Sequence, residues 1–321
     1  MTKIHQETYG SGKPIVLVHG WAMHTGIWRN FAKQLAQNYR VTCIDLPGHG
    51  QSEALQPFNL EQISELLANN VDIESACWLG WSLGATVVLD FARRFPERCS
   101  ALILMTGNPH FTQVKIPSKI TSQSRNVTQQ AVRAELVEAC TACHSELEFL
   151  RSSFDTLRTN EKNVLVEENS VLSISDKTSQ WPGMKIELLD SFADSLQENC
   201  QATLLRFLSL QVNGLQDYKK LIKELKTAVA EYSAPDEVTL QGGLEILKTA
   251  DLRAVMGALT MPMLSILGAK DALVPVAVGE YLQTLSPNMT VKVIDKAGHA
   301  PFLSHPNEVT ELMSDFIERH V

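Results

Sequence analysis

Gly80-Trp81-Ser82-Leu83-Gly84 follows a short apolar run, Ala76-Cys77-Trp78-Leu79, and precedes an amphipathic run that begins at Ala85. A serine framed by glycines between a strand and a helix is the arrangement of a nucleophile elbow. The glycines are a steric requirement. The chain must reverse sharply with the serine in a strained backbone conformation, and side chains at Gly80 or Gly84 would collide with neighbouring elements. The hydroxyl then projects from the sheet edge at the positive end of the following helix. Glycine-serine-glycine spacings are also common in loops, so the pentapeptide alone is a weak pattern and its context decides.

On both sides of this stretch, short apolar runs alternate with helix-like segments. Residues 15–18, 41–44, 76–79 and 101–105 read as buried strands, and residues 27–38, 60–70 and 85–95 as the helices between them. In the last of these Val87, Val88, Phe91, Ala92 and Phe95 share a face, and Pro96 stops it. A second block holds strands at 263–267 and 291–294 and closes with an amphipathic helix through Val309, Leu312, Met313, Phe316 and Ile317. Strand-helix alternation predicts an α/β fold with a doubly wound, mostly parallel sheet, built from residues 1–111 and 253–321.

The middle of the chain breaks that rhythm. Residues 181–252 read as a helical lid, with helices over 185–198, 201–211 and 215–230. Such a lid belongs over the carboxyl edge of the sheet, where folds of this class place their active sites. Residues 112–180 are rich in Ser, Thr, Asn, Gln and Glu, with one helix-like piece over 131–150. Their composition favours a mobile insertion over a structured subdomain.

Composition narrows the function classes. The chain has 321 residues, of which 44% are hydrophobic and 20% charged, the balance of a soluble globular enzyme. A net charge of -8 argues against a general nucleic-acid binder. Residues 1–20 hold no apolar run longer than 15–18, too short for a signal peptide or membrane span, so a cytoplasmic monomer without a membrane partner is expected. The six cysteines are then expected to be reduced, with Cys43, Cys77 and Cys99 as small core residues. Cys140-Thr141-Ala142-Cys143-His144 fits the c-type haem attachment pattern. That chemistry needs export and a second ligand cluster, and a closed zinc site needs a fourth ligand. Two cysteines on one face of a surface helix is the favoured reading, and no metal or cofactor is expected.

A serine hydroxyl is a poor nucleophile at neutral pH. It needs a base, and the base needs an orienting carboxylate. Asp271 follows the strand at 263–267 in Gly268-Ala269-Lys270-Asp271, and His299 follows the strand at 291–294 in Lys296-Ala297-Gly298-His299-Ala300-Pro301-Phe302. Taken singly, the Asp reads as a turn residue or cap and the His as a surface residue. Together, in the order Ser, Asp, His and each after a strand, they read as a triad. His5, His144 and His320 lack a post-strand position, His305 sits in a helix-entry loop, and His24, His49 and His110 come in the wrong order. An oxyanion hole needs two amides, expected from Leu83, after the nucleophile, and from Trp21 in the loop His19-Gly20-Trp21-Ala22. His19 and Gly20 shape that loop, and Asp45 to Ser52 reads as a rigid turn without chemistry.

His19-Gly20-Trp21, Asp45-Leu46-Pro47-Gly48-His49-Gly50, the elbow and Gly298-His299-Ala300-Pro301-Phe302 together resemble the α/β-hydrolase superfamily. The likeness is closer to the pimeloyl-[acyl-carrier protein] methyl ester esterases of biotin synthesis. Its carriers are Trp78 to Gly84, Trp181-Pro182-Gly183, Arg206-Phe207-Leu208-Ser209-Leu210-Gln211, Gly242-Gly243-Leu244-Glu245-Ile246-Leu247-Lys248-Thr249 and His299 to Pro306. The resemblance spans nearly the whole chain apart from 112–180. It implies Ser82 as nucleophile, Asp271 as orienting acid and His299 as base. It further implies that Trp21 and Leu83 line the oxyanion and substrate site, and that Phe207, Leu208, Ser209, Leu210 and Gln211 line an acyl channel.

The partner implied is an acidic acyl carrier protein docked on basic residues, for which Arg206, Lys219 and Lys223 stand in suitable positions. Ala202 stands where another basic residue would be expected. Lysine in place of arginine keeps charge and loses bidentate geometry. Lys219, Lys220, Lys223 and Lys226 recur at helical spacing, which by itself reads as a solvated face; the resemblance favours docking. The function expected is hydrolysis of the methyl ester of pimeloyl-[acyl-carrier protein]. The alternatives are a general short-chain carboxylesterase and a non-catalytic binding protein on the same fold.

Overall fold

The computed structural model describes residues 2–115, 180–212 and 215–321. The chain forms two compact units, one of Met1–Gln113 with Pro182–Val321 and one of Val114–Trp181. In chain order the elements are β1 (Gln6–Tyr9), β2 (Pro14–Val18), α1 (Arg29–Leu35), β3 (Arg40–Ile44), α2 (Leu60–Asn70), β4 (Ala76–Trp81), α3 (Leu83–Arg94) and β5 (Cys99–Met105). After β6 (Val114–Lys115) and β7 (Gln180–Trp181) come α4 (Ile186–Glu198), α5 (Cys200–Leu210), α6 (Tyr218–Val229), α7 (Glu237–Thr249) and α8 (Arg253–Ala258). The chain ends with β8 (Met263–Gly268), α9 (Val278–Leu285), β9 (Met289–Ile294), α10 (Pro301–Ser304) and α11 (Pro306–His320).

Seven strands form one sheet in the order β1-β3-β2-β4-β5-β8-β9. Only β1 runs antiparallel to its neighbour; every other pair is parallel. Parallel pairing puts the carboxyl ends of β2, β4, β5, β8 and β9 along one edge, so the loops after them converge. Side chains alternate across each strand. Trp78 of β4 stacks on Phe91 of α3, ring centroids 4.1 Å apart. Its neighbours Cys77 and Leu79 join the opposite core with Phe31 of α1 and Val309 and Met313 of α11. Helices therefore cover both faces of the sheet, as the sequence pattern predicts. Cys43, Cys77 and Cys99 are buried, and burial pushes all three thiols up, Cys99 to about 12.

Several elements lie outside the sequence reading, among them β1, α7, α8 and α9. β1 is a polar edge strand, Gln6-Glu7-Thr8-Tyr9, with no apolar run to announce it. The segment after β2 opens as a 3-10 turn, Thr25–Trp28, before α1. α7 is a full helix through Gly242-Gly243, a pair that weakens a helix by about 1 kcal/mol per glycine. It is started by Asp236, whose side chain accepts from the Thr239 amide at 2.8 Å. The glycines are required by packing: a Cβ on Gly242 would lie 2.8 Å from Phe58 Cβ, and one on Gly243 2.5 Å from Trp21 Cδ1.

The helical segment is fastened to the sheet at several points. Trp21 Nε1 donates to Leu240 O at 2.8 Å, and Arg29 bridges Glu7, at 3.2 Å, and Glu231 just after α6. Within the first unit Gln113 N donates to Met184 O at 2.8 Å and Met184 N to Phe111 O at 2.9 Å. In the second unit the described pair β6 and β7 is antiparallel. The helix-like piece at 131–150 and Cys140, Cys143 and His144 lie outside the described residues. No helix among the described residues is long and apolar enough to cross a membrane.

Candidate active site

Ser82 stands between β4 and α3 at φ 56° and ψ −119°, a region that residues with side chains rarely enter. Its amide donates to Met105 O at 3.1 Å and its carbonyl accepts from Ala85 N at 2.9 Å, which pins the reversal on both sides. A Cβ on Gly80 would lie 2.2 Å from Gly84 O, and one on Gly84 2.3 Å from Val18 O. Gly80 thus permits the tight reversal from β4 into α3, and Gly84 the close approach of α3 to the end of β2.

The loops after β8 and β9 interlock. Lys270 N donates to Ala297 O at 2.8 Å, and a Cβ on Gly268 would lie 2.2 Å from Gly298 O. That interlock brings Asp271 to His299, with His299 Nδ1 and Asp271 Oδ2 2.8 Å apart and both side chains buried. The second carboxylate oxygen accepts from Leu273 N at 2.8 Å and Val274 N at 3.0 Å. Three donors thereby fix the carboxylate. With Nδ1 donating to Asp271, Nε2 carries the lone pair of a base. It is buried and takes no hydrogen bond, from the Ser82 hydroxyl or from any other donor. Such bonds commonly tighten only when substrate arrives.

The loop after β2 is a tight turn closed by Met23 N on Gly20 O at 3.2 Å, with Ala22 at φ 59°. In a turn of this kind only the fourth amide is used by the closing bond, which leaves the Trp21 amide outside it. Leu83, the first residue of α3, carries an amide with no partner inside the helix. His19 braces the loop: Nδ1 donates to Gly20 O at 2.8 Å and Nε2 accepts from Leu46 N at 2.9 Å. Burial pushes His19 and His49 down to about 3, so both are neutral framework residues. Asp45 accepts from Thr25 N at 2.6 Å and Gln51 N at 2.9 Å, which makes the Asp45 to Ser52 loop rigid.

An aromatic wall stands at Trp21. Its ring packs edge-on against Phe207 of α5 at 4.9 Å and Phe192 of α4 at 5.5 Å. The run 207–211 does not present one face, because successive helical residues turn by about 100°. Leu208 and Gln211 are buried, Phe207 and Leu210 partly so, and Ser209 is exposed with its hydroxyl donating to Leu205 O at 2.9 Å. Gln211 donates nothing through its side-chain amide and accepts nothing on it, while its backbone carbonyl accepts from His299 N at 3.2 Å. On α6, Lys219, Lys220, Lys223 and Lys226 are exposed, and so is Arg206 on α5. An open groove lined by Ile222, Lys223, Lys226, Thr227, Ala230 and Glu231 runs along α6.

Residues 13–306 match the family described as alpha/beta hydrolase fold. A pimeloyl-[acyl-carrier protein] methyl ester esterase from Methylococcus capsulatus is 32% identical over 311 residues, 97% of this chain and 97% of its own. This chain belongs to the α/β-hydrolase family, among the pimeloyl-[acyl-carrier protein] methyl ester esterases. A further relative of that name, from Serratia marcescens, is 31% identical across 100% of both chains. Among solved α/β-hydrolase folds, an esterase from Exiguobacterium antarcticum superposes with a TM-score of 0.70 at 19% identity, covering 99% of this chain and 96% of that one. A bromoperoxidase from Bacillus anthracis superposes with a TM-score of 0.71 at 17% identity, over 99% and 96%.

Within this α/β-hydrolase, two residues at the site lie outside the motif-based reading of roles. Gly243 lets α7 approach Trp21, and its only sequence signal is the glycine pair itself. Thr106, directly after β5, holds φ 45° and bonds to the His299 backbone. Its position at a strand end is the one signal that could have marked it.

Proposed function

We propose that this chain is a serine carboxylesterase that hydrolyses the methyl ester of a pimeloyl group carried on acyl carrier protein, in biotin synthesis. The observation that carries the reading is the buried Asp271–His299 pair, 2.8 Å apart, on the loops that converge on the Ser82 elbow. His299 Nε2 takes the Ser82 proton as Ser82 Oγ attacks the ester carbonyl carbon. The Leu83 and Trp21 amides receive the oxyanion, where preorganised donors act most strongly. The imidazolium passes its proton to the departing methoxy oxygen, and methanol leaves. A water deprotonated by His299 then attacks the acyl-enzyme, and collapse releases the free acid and restores Ser82.

The aromatic wall of Trp21, Phe192 and Phe207 suits an apolar acyl chain, with Leu208 and Leu210 further along α5 and Gln211 just past its end. Residues 181–252 act as the lid over this site. Arg206, Lys219 and Lys223 form the docking face for the acidic carrier, and the exposed lysines of α6 support that assignment on a chain of net charge -8. A serine-directed phosphonate should label the native protein and leave Ser82→Ala unlabelled. Rescue of a biotin auxotroph lacking its own esterase tests the pathway. The native gene should restore growth and Ser82→Ala should not; failure of well-expressed native protein would leave a general carboxylesterase.

A further inference from the structure

The buried carbonyl of His299 accepts two side-chain donors, Trp81 Nε1 at 2.7 Å and Thr106 Oγ1 at 2.8 Å. One donor satisfies a buried carbonyl; two occupy both lone pairs and hold the peptide plane against rotation. The amide of the same residue donates to Gln211 O. His299 is therefore gripped at both ends of its backbone as well as through Nδ1.

The two donors are also neighbours of the nucleophile. Trp81 directly precedes Ser82, and Met105, directly before Thr106, accepts the Ser82 amide at 3.1 Å. Thr106 N donates to Ile266 O at 2.8 Å, on the strand that leads to Asp271. A branched residue at φ 45° is a true outlier, and outliers persist where the surroundings hold them for a purpose. The Trp81 ring packs against Phe302 at 5.0 Å and Trp28 at 6.0 Å, which fixes the direction of its N–H.

We propose that Trp81 and Thr106 are positioning residues that transmit the place of Ser82 to the imidazole of His299 through the His299 carbonyl. The proposal rests on the reading of His299 as the base. Loss of either donor lets the ring drift from the line between Ser82 and the ester. Such a drift costs about tenfold or more in the chemical step, with binding untouched.

The test compares Thr106→Val, which keeps size and branching, with Thr106→Ser, which keeps the hydroxyl, alongside Trp81→Phe. Each is assayed for kcat and KM on a small aryl ester and for the single-turnover rate of phosphonate labelling, normalised to folded protein by thermal melting. Thr106→Val should lose about tenfold in kcat and in labelling rate at unchanged KM, and Thr106→Ser should stay within about threefold of native. A purely packing role predicts the reverse ranking, and that ranking, or a loss confined to KM, overturns the proposal. If Trp81→Phe fails to fold, the Thr106 pair decides. Ser82→Ala and His299→Ala separate the two levels. If both are inactive while Thr106→Val matches native, the positioning role alone falls. If either retains full activity, the reading of the site falls with it.

Discussion

Trp21 and Gly243 approach so closely that a Cβ on Gly243 would stand 2.5 Å from Trp21 Cδ1 and 3.0 Å from its Nε1. The indole cannot retreat freely, because Nε1 is bonded to Leu240 O and the ring meets Phe192 and Phe207. Alanine in a helix interior normally stabilises by about 1 kcal/mol over glycine. Gly243→Ala should do the opposite here, lowering the melting temperature and reducing kcat/KM on ester substrates by about tenfold to a hundredfold as the Trp21 amide shifts. Thermal melts and steady-state kinetics on the same preparation check both signs. Higher stability with native activity would show that α7 yields without moving Trp21.

The elbow glycines make a sharper prediction. Both Gly80 and Gly84 face backbone atoms, which cannot swing aside as a flexible side chain can. Gly80→Ala and Gly84→Ala should each destabilise by about 3 kcal/mol or more, or yield no folded protein. Urea denaturation of the purified variants measures this directly.

The strands at 15–18, 41–44, 76–79, 101–105 and 263–267 were legible because strands buried on both faces read as continuous apolar runs. Ser82 and Asp271 could be singled out because each follows such a run, and His299 because it follows the shorter, partly exposed run at 291–294. α7 was not legible: Gly242-Gly243 reads locally as a break, and the reason for it, Trp21 and Phe58, lies far away in sequence. β1 was hidden by its polar composition as an edge strand. The bond from Thr106 to the His299 carbonyl joins residues 193 apart, and no local pattern announces such a pairing.

Stability should depend on pH through His19 and His49. Burial pushes both down from 6.5 to about 3, so they are neutral in the fold. The unfolded chain protonates them below about 6.5 and then binds more protons than the native state. Their contribution is therefore complete above that pH and is lost as pH falls towards 3, by about 1.4 kcal/mol per pH unit for each histidine. Urea midpoints should drop between about pH 6.5 and 5, above the range in which most carboxylates titrate. His49→Gln should flatten that slope, and a slope unchanged by the substitution would place its origin elsewhere.

Carrier recognition should be electrostatic. Lys219→Glu combined with Lys223→Glu reverses charge at two exposed positions of α6. KM for the carrier-linked ester should rise about tenfold and become less salt-dependent, while a small aryl ester is hydrolysed as before. Equal losses on both substrates would remove the docking role.

On the proposed function, Ser82 cleaves a methyl ester presented by a carrier protein. Intact-mass analysis of methyl-pimeloyl acyl carrier protein, incubated with the purified chain, reads that event directly. The native protein should convert the carrier to the free-acid form, lighter by one methylene, and Ser82→Ala should leave it unchanged. An unchanged carrier with folded native protein, or conversion by Ser82→Ala, would rule out Ser82 as the nucleophile that cleaves this ester.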